Sequence, residues 1–141
     1  MKNREYLSFL LKTAQAGQVE IRSILDTSMD PGLRSALEEQ LREYDSMETE
    51  ALTIALQRGW ELAVLDPGRS FLTDRATRFR LNCRNTDSAI ADIMIQKNTK
   101  AMIRGLKNLH QFQDEDAQIR ILSQKLLDCE TASIRQLQQY L

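Results

Sequence analysis

The sequence predicts an all-α fold, an antiparallel bundle of four long helices with a long connection between the second and third. Three observations predict it. Apolar residues recur at three- and four-residue steps over four separate stretches of roughly twenty residues each. Only 5 Gly and 2 Pro leave few places to turn. No period-two alternation runs far enough to make a strand. Four amphipathic stripes, each needing cover, are satisfied by packing on one another.

The first helix runs from about Asn3 to Asp26, with Leu10, Ala14, Gly17, Ile21 and Ile24 forming its buried stripe. "TSMDPG" ends it. Asp30 before Pro31 signals the next start: the carboxylate can accept from a free backbone amide, and proline loses nothing at the first helical position. The second helix carries Leu33, Leu37, Leu41, Tyr44, Ala51 and Ala55 on one face, and Arg58–Gly59 close it. The connection "WELAVLDPGRS" is too apolar for a free linker, so Trp60, Leu62 and Leu65 are expected to pack on the bundle. "FLTDRATRFRLNC" reads as helical, either separate or continuous with the third helix, which is clearest from Thr86 to about Asn108. Asp114, Glu115 and Asp116 make an acidic first turn for the fourth helix, favoured by the positive end of the helix dipole. Its stripe is Ile119, Leu122, Leu126, Cys129, Leu137 and Tyr140.

The 141 residues form one domain, 1–141, long enough to bury a core. Lys plus Arg (19) nearly cancels Asp plus Glu (20), so no strong overall field draws nucleic acid or an anionic membrane. "DRATRFRLNCR" does gather Arg75, Arg78, Arg80 and Arg84, a local basic patch read as a solvated helix face. The opening "MKNREYLSFLLKTAQAGQVE" meets polar residues too soon for a signal peptide, and no run approaches a membrane span. Cys83 and Cys129 lack metal-ligand spacing and read as free thiols of a cytoplasmic protein.

Four acids keep step with the stripes: Glu20 with Gly17 and Ile24, Glu48 between Tyr44 and Ala51, Asp92 within "SAIADIMIQK", and Glu130 with Leu126 and Leu137. One carboxylate per helix, near mid-length, resembles the ferritin-like superfamily. The segments "LRSALEEQLREY", "LTDRATRFRLNCRNTDSAIADIMIQKNTKAMI" and "LLDCETASIRQLQQYL" are more closely similar to uncharacterised small ferritin-like proteins of Gram-positive bacteria. The resemblance implies a ferritin-like bundle, with Glu20, Glu48, Asp92 and Glu130 as the metal-ligand positions. The superfamily's di-iron site also takes a Glu-x-x-His from each of two helices. The matching segments are Glu48 to Ala51 and Glu130 to Ser133, so both imidazoles are missing. The single histidine, His110, lies far along the third helix from Asp92.

Carboxylates alone can still hold a divalent ion through oxygen. Without a cation, four converging acids would repel one another and resist ionising. The alternative is that each acid has a nearby base; Arg22, Arg42, Lys97 and Arg135 are within reach along the stripes. Ser88, Asp92 and Gln96 are four residues apart and mark a polar edge, so Asp92 is expected to be a hydrogen-bonded structural acid. With one histidine near a helix end, no Ser/His or Cys/His nucleophile is formed, and Gly17 and Gly105 read as close helix contacts.

The expected function is non-catalytic: a bundle with an eroded metal site and no cofactor that forms a homo-oligomer or binds a protein partner. Its motive is the third helix, where Ile90, Ile93, Met94, Ile95, Met102 and Ile103 cover more than one face. The alternative is a divergent carboxylate-bridged protein or oxidase holding Fe or Mn.

Overall fold

A computed structural model describes residues 2–63, 86–112 and 116–141, and the regular structure among them is helical. The helices are α1 (Asn3–Leu25), α2 (Pro31–Arg58), α3 (Asp87–Gln111) and α4 (Ala117–Leu137), followed by a 3₁₀ turn over Gln138–Tyr140.

Their ends sit where side chains can satisfy free backbone groups. Asp30 Oδ2 accepts from the amides of Gly32 at 2.8 Å and Leu33 at 3.2 Å, with Pro31 at the first helical position. At the other end Gly59 takes a left-handed φ of 66°, and the Trp60 amide reaches back to the Ala55 carbonyl at 2.9 Å. Thr86 Oγ1 accepts from the Ala89 amide at 3.1 Å, and Asp116 Oδ1 from the Ile119 amide at 3.2 Å. Of the acidic turn expected before α4, Asp116 is therefore the cap, while Asp114 and Glu115 lie outside the described residues.

Contacts at the ends give the helix directions. The Arg4 guanidinium donates to the Glu61 carbonyl at 2.7 and 3.0 Å, so α1 starts where α2 finishes. The Asp30 amide donates to Asp87 Oδ1 at 3.0 Å, so α2 and α3 start together and run parallel. Arg58 pairs with Asp116, placing the end of α2 at the start of α4. Tyr6 and Ser123 share a hydroxyl hydrogen bond near the starts of α1 and α4. The order is up, down, down, up. α1 packs chiefly on α2, α3 on α4, and α2 on α4.

The core contains most of the stripes read from the sequence, with Leu41 and Tyr140 only partly buried, and adds Tyr6, Leu7 and Leu11 of α1. Leu7, Ile21, Leu37, Ile90, Met94 and Leu122 are fully buried. Trp60 and Leu62 pack against this core as expected, and Arg58 covers the Trp60 ring at 5.2 Å. Leu65, the helix expected over 71–85, Cys83 and the four arginines of the basic patch lie outside the described residues. Cys129 is a buried free thiol. No described helix is long and apolar enough to cross a membrane. α3 is less uniformly buried than its composition implies: Ile90, Ile93 and Met94 are inside, but Ile103 and Leu106 are 45% and 41% exposed.

Gly17 sits under the Tyr44 ring, where a Cβ would stand 2.4 Å from Tyr44 Cε2. At Gly105 a Cβ would come within 3.2 Å of a Leu127 methyl, the flexible end of a side chain. Gly17→Ala should therefore destabilise the fold by about 1–3 kcal/mol in urea denaturation, since a ring on a helix must move. Gly105→Ala should change stability by less than about 1 kcal/mol, because the gain in helix propensity offsets a small displacement. Equal midpoints for Gly17→Ala and the parent would show that Tyr44 yields freely.

Candidate functional site: a polar centre inside the bundle

Halfway along the bundle the apolar stripes are interrupted on all four helices by polar side chains. α1 supplies Glu20, which is half-buried, and Gln18, which is buried. α2 supplies Gln40 and Tyr44, one helical turn apart, both buried. Asn98 comes from α3 and Glu130 from α4, 2% and 1% exposed.

Two bonds tie these helices together. Gln40 Nε2 donates to Asn98 Oδ1 at 2.9 Å and lies 3.2 Å from the Tyr44 hydroxyl, joining α2 to α3. Lys97, the residue before Asn98, places its ammonium 3.4 Å from Glu20 Oε1, joining α3 to α1. The pair is about one-fifth exposed on each side, so it is neither dry nor fully solvated.

Glu130 has no such partner. Both of its carboxyl oxygens are buried without a hydrogen bond, as are Gln40 Oε1, Asn98 Nδ2 and Gln18 Nε2. Burial disfavours its charged form and pushes its pKa up to about 8; Arg104 opposes that shift and Glu20 adds to it. Glu130 is thus a neutral acid at pH 7. Burial also raises Tyr44 well above the usual phenol range, with Glu130, Cys129 and Glu20 acting in the same direction. The Cys129 thiol is pushed far up by burial and by the adjacent Glu43 carboxylate, so it stays protonated and is a poor nucleophile.

The four acids singled out by the sequence are placed differently. Glu20 and Glu130 both act electrostatically on Tyr44, and Glu20 acts on Glu130. Asp92 is half-buried on α3, five residues before Lys97, and accepts from Gln96 Nε2 of its own helix at 2.8 Å. That is a hydrogen-bonded acid on the polar edge anticipated from Ser88 and Gln96. Glu48 is half-buried on α2, four residues beyond Tyr44. Among the described residues no group of three or more His, Cys, Asp or Glu side chains could hold a metal ion. Ala51 and Ser133, standing where imidazoles would be required, are buried, and His110 is exposed in the last turn of α3. Of the expected bases, Lys97 serves Glu20 from another helix, whereas Arg22 turns to Gln18 Oε1 at 3.2 Å.

Gln40 and Asn98 are not among the four acids that the stripes pick out. The signal was present: Gln40 keeps step between Leu37 and Tyr44, and Asn98 follows Met94 by four. An amide on a core stripe points inward as surely as an acid does.

Comparison with protein-family models, with curated proteins and with solved structures finds no match to this chain.

A buried acid held neutral gives stability a definite pH dependence. Glu130 has a raised pKa in the fold and an ordinary one in the unfolded chain, so the folded state binds the extra proton between those two values. Stability should therefore fall as pH rises from the ordinary glutamate range, and level off above about 8. Glu130→Gln should remove this slope. It should melt above the parent at pH 8.5, by on the order of 2 kcal/mol, and the advantage should vanish near pH 5. Parallel pH–stability curves for the two proteins would refute the assignment.

Proposed function

We propose that the chain is a ferritin-like bundle with an eroded metal site, acting as a non-catalytic module that assembles with itself or binds a protein partner. The observation that carries this reading is the Lys97 ammonium on Glu20. A fixed positive charge already compensates the α1 acid, and Arg104 adds a second positive field at Glu130. A divalent ion at the same centre would be repelled by both and would have to ionise a neutral carboxyl. Ala51 and Ser133 occupy the positions where the resemblance calls for nitrogen donors suited to iron, and the Gln40 and Asn98 amides nearby are bonded to each other.

The up, down, down, up order supports the ferritin-like assignment, because parallel α2 and α3 call for a connection that returns along the bundle. A buried free thiol at Cys129 supports a reducing, cytoplasmic setting.

One observation favours the second reading, a divergent carboxylate-bridged Fe or Mn protein. The Glu130 oxygens are buried without a hydrogen-bond partner, as ligand atoms awaiting a cation would be.

Elemental analysis separates the two. Purified protein should contain no stoichiometric Fe, Mn or Zn and should show no thermal shift when these are added. Asp92→Asn should change stability by no more than about 0.5 kcal/mol, equally with and without chelator. Stoichiometric metal, or a chelator-sensitive melting temperature that Asp92→Asn loses, would establish the second reading instead.

A further inference from the structure

The bundle carries opposite charges on opposite sides. Between α2 and α4 lies an open groove of about 370 Å³, floored by Met47 and Cys129 and edged by Glu43, Glu50, Asp128 and Lys125. Lys125 compensates Glu50 at 3.2 Å. Glu43 lies beside the Cys129 thiol and Asp128 accepts from Gln124 at 2.9 Å; among the described residues neither acid has a cationic partner. The groove is therefore net acidic.

On α3, Lys97 faces Glu20 of α1. Lys100, Arg104 and Lys107 follow at steps of three, seven and ten residues, which keeps them on that same side of the helix. All three are exposed, and none forms an ion pair among the described residues. α3 meets α4 by another face, through Met102 against Thr131 and Gly105 against Leu127. The basic stripe thus lies at the α1–α3 edge, across the bundle from the α2–α4 groove.

We infer that the chain self-associates head to tail, the Lys100–Arg104–Lys107 stripe of one copy seating on the acidic α2–α4 groove of the next. The inference rests on the self-assembling form of the proposed function and gives it a surface. A second copy is the occupant because one molecule presents both halves of the pair at matching intervals. The groove edge from Glu43 to Glu50, the latter offset by Lys125, and the stripe from Lys100 to Lys107 each span seven residues, about 10.5 Å along a helix, which leaves Glu43 and Asp128 as the acids open to the stripe. Because the two surfaces are different, the contact is heterologous: it repeats from copy to copy and does not close through a twofold axis. Charge sets its register and its rate of formation, and the apolar groove floor takes the lysine and arginine stems.

Sedimentation velocity on the full chain tests this with two charge-reversed proteins. In the first, Glu43→Lys with Asp128→Lys makes the groove basic. In the second, Lys100→Glu with Lys107→Glu makes the stripe acidic; Arg104 is left in place because its charge acts on Glu130. Circular dichroism confirms that both fold. The parent should associate at about 0.01 M ionic strength, where the Debye length is about 30 Å, and dissociate at about 1 M, where it is about 3 Å. Each reversed protein alone should associate at least about tenfold more weakly at low salt, and an equimolar mixture of the two should recover association. Parent oligomers indifferent to both reversals would overturn the inference while leaving self-assembly through another face standing. A parent that stays monomeric at low salt and the highest attainable concentration would overturn the inference and the self-assembling form of the function together. Loss in both variants without recovery on mixing would also overturn it, since the two surfaces would then not be partners.

Discussion

The placement of Tyr44 over Gly17 governs the centre of this bundle. The ring approaches the α1 backbone so closely that a Cβ on residue 17 would stand 2.4 Å from Tyr44 Cε2, so the contact constrains both the spacing of α1 and α2 and their relative height. With Tyr44 fixed, Gln40 one turn earlier comes level with Asn98 of α3. Glu20, three residues beyond Gly17, and Glu130 of α4 both come near enough to act electrostatically on the phenol. The polar centre follows from one close helix contact, and no loop has to position it.

That centre is an expensive way to fill a core. Buried polar atoms without partners each cost roughly 1–3 kcal/mol, and several occur here: both Glu130 oxygens, one atom each of Gln40 and Asn98, and the Gln18 amide nitrogen. An apolar set of similar volume would be more stable. What the polar set supplies is discrimination. Sliding α3 along α2 by one turn would separate Asn98 from Gln40 and Lys97 from Glu20 while leaving the isoleucine stripe of α3 an equally apolar neighbour. The same logic lets a buried polar residue fix register in coiled coils.

Most of the architecture was legible because it depends on neighbours in sequence. Asp30–Pro31, Arg58–Gly59 and the Asp116 cap marked helix ends to within a residue or two, and the three- and four-residue steps named the buried faces. Gly17 was recognisable as a close contact, though its partner ring was not. The centre was harder, since one helix's sequence does not state its height against another. Lys97 was within reach of several acids, and only the packed bundle brings it to Glu20. Asp92 and Glu130 looked alike in the sequence, each an acid among apolar residues. They differ because Asp92 lies on the edge shared with Ser88 and Gln96, whereas Glu130 lies on the stripe of Leu126 and Ser133.

The clasp at the end of α2 bears on how the chain holds together. Arg58 engages Asp116 and Gln118 of α4 while stacking on Trp60, and a turn or two away Lys125 reaches back to Glu50. Added to the α2–α4 packing, the Asp30–Asp87 bond and the buried Gln40–Asn98 and Tyr6–Ser123 bonds, these contacts join the α1–α2 hairpin to the α3–α4 hairpin. In thermodynamic terms the described residues behave as a heterodimer of hairpins, held at high effective concentration because they belong to one chain. Separating the two hairpins covalently would turn an intramolecular equilibrium into a concentration-dependent one while keeping every contact named above. Two separately expressed halves would then complement each other, with an affinity set by how much of the fold's stability resides in the seam between them.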